Sequence, residues 1–530
     1  MSTQIQQRLD ALNTSKFKQA VTGIKRGIER ESLRVCPDGK LALTPHQQAL
    51  GSALTHPLIT TDFSESLLEF ITPATDNIDT TLAQLSDIHH FVSKQIGQEQ
   101  FWPASMPCFI SDQDTIPLAQ YGSSNVGKMK TLYRKGLHNR YGSMMQAISG
   151  VHFNFSFSQS FWQEYQQLKG DKGDLQAFIS AEYLGLIRNY KRYVWLMVYL
   201  FGASPAMCKS FIAGRETKYD FKPLGKGSLY LPYATSLRMS DLGYTSSAQS
   251  SLNISYNSLP EYVLGLQDAI SKPSEQYSKI GVKFDNQYQQ LNTHVLQIEN
   301  EFYSTIRPKR TAESGERPTC ALAKRGVEYV EVRALDVNPF SPIGINSEQM
   351  HFLDIFMLYC LLQDSPEMSI AEQNIADANL RKVVTEGRRL NLDLQDGQHP
   401  RLMQDWAEQL FAEMMPVAKY LDSAYNKQQY QSVLTQFYKA LLNPSLTYSG
   451  QILDKLLPQQ QDNGSFMLQL AAEYKQHFLQ QPYQVYSEQL FLDKALESQQ
   501  QQKLIEQQDD ISFSEYLKQY YAEMPDCDEA

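Results

Sequence analysis

Apolar and polar positions follow one another along the chain in two rhythms. A three- to four-residue rhythm puts Ile5, Leu9 and Leu12 on one side of a helix over residues 1 to about 20, and predicts another amphipathic helix over 78–98. Between them, GIERESLRV (27–35) and SLLEFITP (66–73) read as strands. The clearest two-residue rhythm is GVHFNFSFS at 150–158. There Val151, Phe153, Phe155 and Phe157 face one way, and His152, Asn154, Ser156 and Ser158 the other, as in a half-buried strand. HVLQIENEFYS (294–304) and GVEYVEVRAL (326–335) repeat the pattern. Helical patterns such as 175–200 and 258–271 separate these strands, which predicts an α+β fold on a mainly antiparallel sheet. From about 347 onward the pattern is helical, with Gln-rich stretches at 458–461 and 497–503 and a terminal MPDCDEA expected to fray. The expected organisation is a core over 1–364 and a helical portion over 365–530, packed on the same unit and carrying little chemistry of its own.

The polar faces of the predicted strands carry acids. Glu29 and Glu31 are two residues apart, so an extended chain points both carboxylates the same way. Asp62 precedes a strand in which Glu69 is embedded among apolar residues, and Glu331 lies between Val330 and Val332 with Arg333 on its own face. Each acid alone reads as a surface carboxylate or a structural ion pair. Together, at spacings of ~5 Å, they would repel by roughly 3 kcal/mol per pair at an effective dielectric near 20. Such a face calls for cations: oxygen ligands on rigid strands suit Mg²⁺, or Mn²⁺ if a histidine joins, and His152 is the natural candidate. His89 and His90 fall in a helical pattern and read as structural. A cationic group, Arg134, Arg238, Arg307, Lys309, Arg310 and Arg333, could meet phosphates or carboxylates. GSSNVGKM at 122–129 has the spacing of a phosphate-binding loop, but Met129 replaces the Ser or Thr and no strand leads into it, so it is rejected. G-x-S-x-G and H-E-x-x-H are absent.

Composition narrows the class. The chain has 530 residues, 42% hydrophobic and 20% charged, which fits a large buried core and excludes disorder as a description of the whole. With 48 basic against 58 acidic residues the net charge is −10, a field that disfavours nucleic-acid partners. The six cysteines include no C-x-x-C pair, and Cys208 and Cys360, beside Met207 and Tyr359, read as buried packing residues. The first residues lack an apolar signal core, and the most apolar run, Tyr193 to Phe201, is far shorter than the ~20 residues a membrane span needs. The expectation is a soluble, monomeric, cytoplasmic protein with small-molecule partners.

Several blocks are recognisable as a set: RGIERESLRV, GSALTHPLITTDFSESLLEFITP, YGSSNVGKMKTLYRKGLHNRYG, ISGVHFNFS, LFGASP, YLPYATSLRMSDLGYT, VLQIENEFYSTIRPKR and GVEYVEVRALDVNPFSPIG. In this order, from about residue 20 to 365, the chain resembles the bacterial glutamate–cysteine ligase (γ-glutamylcysteine synthetase) family, type 1; the helical remainder resembles it only loosely. The resemblance implies a glutamine-synthetase-like sheet forming a cup for ATP, glutamate and cysteine, with a cluster of Mg²⁺ ions. Carried over position by position, it implies Glu29, Glu31, Asp62, Glu69, His152 and Glu331 as metal ligands. Arg134 and Arg333 would meet the nucleotide phosphates and the transferring phosphoryl group, and Arg238 a substrate carboxylate. Phe63, Tyr133, Gln146, Tyr244 and Tyr303 would frame the cysteine pocket. It further implies ligation through γ-glutamyl phosphate, the first step of glutathione biosynthesis. Read without the resemblance, the residues leave open a γ-glutamyl ligase with a different amine acceptor, and a non-catalytic metal- or nucleotide-binding protein.

Overall fold

The alternating segments assemble into one antiparallel sheet. The computed structural model describes residues 4–242, 249, 252–313 and 315–522. The strands are β1 (Lys25–Val35), β2 (Ile59–Thr61), β3 (Leu67–Ile71), β4 (Gln100–Phe101), β5 (Gly150–Ser156), β6 (Ile306–Lys309) and β7 (Tyr329–Asp336). Their spatial order is β6-β7-β5-β1-β3-β2, with β4 paired to the end of β1. Val151, Phe153 and Phe155 of β5 and Val330 and Val332 of β7 are fully buried on the reverse face, each side chain contributing roughly 1.5–3 kcal/mol of hydrophobic burial.

Helices cover that reverse face. Counting only those used below, they are α1 (Gln4–Leu12), α2 (Ser15–Val21), α3 (Ile78–Gln95), α4 (Asn125–Tyr141), α5 (Leu175–Phe201), α6 (Ser347–Leu362), α7 (Met403–Tyr425), α8 (Glu488–Gln508) and α9 (Phe513–Ala522). α5 lies across β6 and β7, α3 across β1 and β3, and α6 packs on α5. Buried arginines on β1 tie the sheet to its surroundings: Arg26 donates through Nε and Nη2 to the Asp354 carboxylate of α6 at 2.9 and 2.5 Å, and Arg34 pairs with Glu99 just before β4. One hydrophobic core includes both Ile5 and Phe491, so it runs without a break past residue 364. Among the described residues no helix is long and apolar enough to cross a membrane.

The sequence reading is amended at four places. The first helix is two, because the Thr14 hydroxyl caps α2 by accepting the Phe17 N–H and so ends α1 at Leu12. Residues 294–304 are not a strand: they hold a single tight turn, Glu299–Glu301, and the strand begins only at Ile306. The reason is local. Glu301 accepts the Gln297 N–H at 2.7 Å, the Tyr141 hydroxyl at 2.6 Å and Arg140 at 3.1 Å, a set of bonds that outcompetes a sheet ladder. A hairpin, Asp393–Asp396 with His399–Leu402, interrupts the helical carboxy-terminal part. Cys208 is only half-buried, whereas Cys360 is fully buried. The terminal MPDCDEA lies outside the described residues.

Candidate active site

Strand register brings the acids together. Glu29 on β1 stands opposite His152 on β5, Glu31 stands opposite Glu69 on β3, and Glu331 on β7 stands opposite Asn154 on β5. Directly opposed residues of an antiparallel pair have Cβ atoms about 5 Å apart, so the two-residue rhythm of each strand becomes a patch of carboxylates. With Asp62, from the turn after β2, the six residues line one cavity of about 450 Å³. Phe63, Tyr133, Arg134, Gln146, Tyr303 and Arg333 line it too. Two residues of the expected set do not appear on that wall: Tyr244 lies outside the described residues, and Arg238 is placed behind the floor.

The pairing pattern within the patch sets its charge. His152 Nδ1 is 3.2 Å from Glu29 Oε2 and 3.7 Å from Glu331 Oε1, and its Nε2 is 3.5 Å from Glu31 Oε1. Arg333 Nη1 donates to Glu331 Oε1 at 3.0 Å, and Lys309 Nζ lies 3.5 Å from Glu331 Oε2. Burial alone would raise the Glu331 carboxyl, but Lys309, Arg333 and His152 hold it well below the usual range. Glu29 is held low by the same balance: burial and Glu331 work against it, and the His152 hydrogen bond together with the charges of His152 and Lys309 outweighs them. Glu31 and Glu69 are shifted the other way, Glu69 strongly. Burial pushes Glu69 up, and Glu29, Asp62 and Glu31 add like-charge repulsion. The protein's own cations therefore balance one corner of the patch and leave the other in excess.

Ligand geometry for a divalent cation lies at the first corner, beside that excess. Glu29, His152 and Glu331 offer ligand atoms that all lie within 4.8 Å of one another. His152 Nε2 and Glu331 Oε2 are buried with no hydrogen-bond partner among the described residues. Carboxylate oxygens on rigid strands suit Mg²⁺, and an imidazole nitrogen admits Mn²⁺.

A break in the sheet pairing aims Arg333. Val332 pairs with Phe153 and Leu335 with Val151, so Arg333 and Ala334 together oppose the single residue His152. This β-bulge returns Leu335 to the core after Arg333 has faced the cavity. Below it, Arg238 is 1% exposed and donates from Nη2 to the Arg333 carbonyl at 2.9 Å. Gly150 makes room for that guanidinium: a Cβ there would sit 2.2 Å from Arg238 Nη2. Its N–H meanwhile donates to Glu31 Oε2 at 2.6 Å. Arg238 reaches the patch through charge, offsetting the burial of Glu31.

The cavity also contains residues the sequence reading did not single out. Lys130 lies one helical turn before Arg134 on α4, and both cations sit over the Tyr121 ring, 5.2 and 4.5 Å from its centre. Burial and Arg134 bring Lys130 down to about 8. The four-residue spacing on a helix was the signal available for it. Tyr516 and Tyr520 of α9 form part of the wall, so the carboxy-terminal portion does more than flank the chemistry. Arg310, grouped with the phosphate-binding candidates, instead holds the Arg325 and Gly326 carbonyls and lines a second cavity of about 960 Å³. Glu29 lines both cavities. His89 and His90 bond to the Leu85 and Phe478 carbonyls, away from the patch.

A carboxylate-rich antiparallel sheet flanked by guanidinium groups is suited to moving phosphoryl groups, and comparison with known proteins gives it a family. The family described as glutamate-cysteine ligase matches residues 9–383. The glutamate–cysteine ligase of Pseudoalteromonas translucida is 53% identical over 513 residues, 97% of this chain and 98% of that protein. The enzyme of Vibrio parahaemolyticus is 51% identical over 97% of both chains. Among solved structures, glutamate–cysteine ligase from Francisella tularensis in complex with AMP superposes with a TM-score of 0.88 at 38% identity, over 94% of this chain and 98% of that one. A bifunctional glutathione synthetase from Pasteurella multocida matches with a TM-score of 0.66 at 25% identity, over 87% of this chain but 53% of its own. The chain belongs to the glutamate–cysteine ligase family. The likeness extends through nearly the whole chain rather than stopping near 365.

Proposed function

We propose that this protein joins the γ-carboxylate of L-glutamate to the amino group of L-cysteine at the expense of ATP, giving γ-glutamylcysteine, ADP and phosphate, the first step of glutathione synthesis. The observation that carries the reading is the convergence of Glu29, Glu31, Asp62, Glu69, His152 and Glu331 with Arg333 and Arg134 around one cavity in a member of this family. In this reading the sheet is a glutamine-synthetase-like cup formed chiefly by residues 1–364, and the enzyme works as a cytoplasmic monomer.

The chemistry needs an activated acyl group, because a carboxylate does not condense with an amine at neutral pH. A γ-carboxylate oxygen of glutamate attacks the terminal phosphorus of ATP and ADP leaves. The cysteine nitrogen then attacks the carbonyl carbon of γ-glutamyl phosphate, the carbon–oxygen bond breaks, phosphate departs and the amine gives up a proton. Both steps concentrate negative charge, and divalent cations held by the six ligands would supply charge neutralisation on the phosphates. The remaining work falls to the chain. Arg333, aimed by the bulge and steadied by Glu331, meets the transferring group; Arg134, held by the Asp62 carbonyl, meets the nucleotide phosphates. Arg238 supports the Arg333 segment from behind the floor. Phe63, Tyr133, Gln146 and Tyr303 surround the acceptor and keep water from the acyl phosphate. Burial holds the Tyr133 phenol well above its ordinary pKa, so it remains a donor.

The second cavity, which shares Glu29 with the first, is where we place the nucleoside. Lys25, Trp162 and Tyr329 give it charge and flat apolar surface, and the AMP complex of the Francisella relative is in keeping with a nucleotide site on this fold. The test is stoichiometry: ADP release should require a divalent cation, glutamate and cysteine together, with γ-glutamylcysteine identified by mass. Equal turnover with cysteine, 2-aminobutyrate and alanine would remove the cysteine assignment. Phosphate release without either amino acid would mark a plain ATPase.

A further inference from the structure

The carboxy-terminal helix α9 is made of the last described residues, yet it stands at the cavity. It reaches α4 through a contact at each end of its approach. Asn125 at the start of α4 donates its backbone N–H to Asp509 and its side-chain amide to the Ile511 carbonyl at 3.0 Å, delivering the chain to α9. At the far end the Tyr521 hydroxyl donates to the Gln297 carbonyl at 2.8 Å and accepts from the Asn292 amide at 3.2 Å. Gln297 in turn donates to the Tyr133 carbonyl at 3.3 Å. Leu517 is buried in a small apolar cluster with Met129, Leu132 and Leu291, separate from the main core.

Helical spacing divides the labour. Leu517 and Tyr521 are four apart and form the anchoring edge; Tyr516 and Tyr520 are also four apart, one position round the helix, and both line the cavity with Tyr133. Tyr520 is further fixed from behind: the Arg317 guanidinium lies 5.8 Å from its ring centre and is itself ion-paired to buried Glu299 at 2.8 Å. Both phenols also pack against the Leu517 cluster, but an element whose sole function was to cover that cluster would not need two of them on the cavity wall, nor a buried ion pair braced against one of them.

We propose that Tyr516 and Tyr520 are specificity-determining residues that close the acceptor side of the cavity, limiting the amine to one with a short side chain and shielding the acyl phosphate. The inference rests on the ligase reading above. In the closed cavity the cysteine nitrogen is the nucleophile that reaches the carbonyl. With the wall removed, water adds to the same carbon, regenerating glutamate and releasing phosphate, so ATP is spent without product.

The test uses the full chain with Tyr516→Ala, Tyr520→Ala and the shape-retaining Tyr520→Leu and Tyr520→Phe. The quantities read are KM for cysteine and for ATP, the ratio of ADP to γ-glutamylcysteine, and turnover with valine or methionine. The expected result is a cysteine KM raised roughly tenfold with the ATP KM within twofold. The ADP-to-product ratio should rise above one, and bulkier acceptors should be used; Tyr520→Phe retains the coupling ratio. Should the alanine variants melt early, Tyr520→Leu carries the test, since it keeps an apolar helical side chain. If the wild-type protein makes γ-glutamylcysteine and folded variants keep the same cysteine KM, coupling and acceptor range, this inference is overturned and the ligase reading stands. If the wild-type protein makes none, both fall.

Discussion

On the reverse face of the sheet Arg26 meets Asp354 and Arg34 meets Glu99, two buried cations matched by buried acids and further bonded by carbonyls and hydroxyls, while Arg30 between them bonds the Glu31 carbonyl and the Ser32 hydroxyl and is brought down to about 9 by burial. On the cavity face Glu29, Glu31, Asp62, Glu69 and Glu331 crowd round one histidine, with Arg333 and Lys309 gathered at Glu331. The same strand, β1, supplies both faces by simple alternation. Buried charge alone therefore does not mark a functional site; a cluster of buried like charges lining a cavity does. The first face contributes to folding, whereas the second gives up stability to hold charged ligands.

Substitutions should separate the two. Glu331→Gln is expected to lower product formation on the order of 10²–10³-fold, the size found when one preorganised electrostatic contact is lost. Without divalent cations the melting temperature of Glu69→Gln should be unchanged or higher, because a repelling charge is gone; a drop of several degrees there would make the patch structural. Asp354→Ala should do the reverse. Stranding Arg26 costs about 3–5 kcal/mol in denaturant melts, while kcat per folded molecule stays within twofold. Ligand linkage gives a smaller contrast. Mg²⁺ at a hundred times its Kd should stabilise the wild type by about 2.7 kcal/mol, and Asp354→Asn too, but Glu29→Gln much less; an equal gain in all three would place the ion elsewhere.

The smallest effect concerns two histidines remote from the cavity. His46 and His56 are both held down to about 4, chiefly by burial, and His56 Nδ1 accepts the Leu58 and Ile59 N–H groups at 3.1 and 2.9 Å. The unfolded chain protonates them near 6.5, so it binds more protons than the folded one between about 6.5 and 4. Stability is therefore intact above about 6.5, falls as pH drops through this window and levels off below about 4. His56→Asn, which keeps an acceptor for the two N–H groups, should flatten part of that acid limb in thermal melts without altering coupling at pH 8. An unchanged limb would assign the acid sensitivity to groups other than His56, His46 first among them.

Much of this contrast was legible beforehand. Alternation in GIERE, SLLEF, GVHFNFS and EYVEVR identified strands and assigned Glu29, Glu31, Glu69, His152 and Glu331 to one face each, because a strand's period is fixed by its backbone. The period does not report depth or neighbours. Arg238 was readable as a cation but not as one lying under Gly150. The bulge at Arg333 and Ala334 breaks the rhythm by one residue, which a pattern of mixed valines and acids cannot display. IENEF alternates like a strand, yet Glu301 spends its oxygens on its own turn. Tyr516 and Tyr520 look like ordinary helix residues, since only the tertiary return of α9 to α4 gives them a place at the cavity.

Arg26 and Asp354 are separated by 328 positions, and Tyr425 and Tyr430 complete their surroundings from further along still. During synthesis, therefore, the strand at the centre of the sheet emerges long before its counter-ion does. A guanidinium cannot be sealed in an apolar interior alone, so the nascent amino-terminal segment has to stay hydrated and its sheet loosely closed until α6 and α7 arrive. A fragment ending after α6 would possess the salt bridge but not the phenols that shield it, and should assemble poorly even though it carries every one of the six carboxylate and histidine ligands.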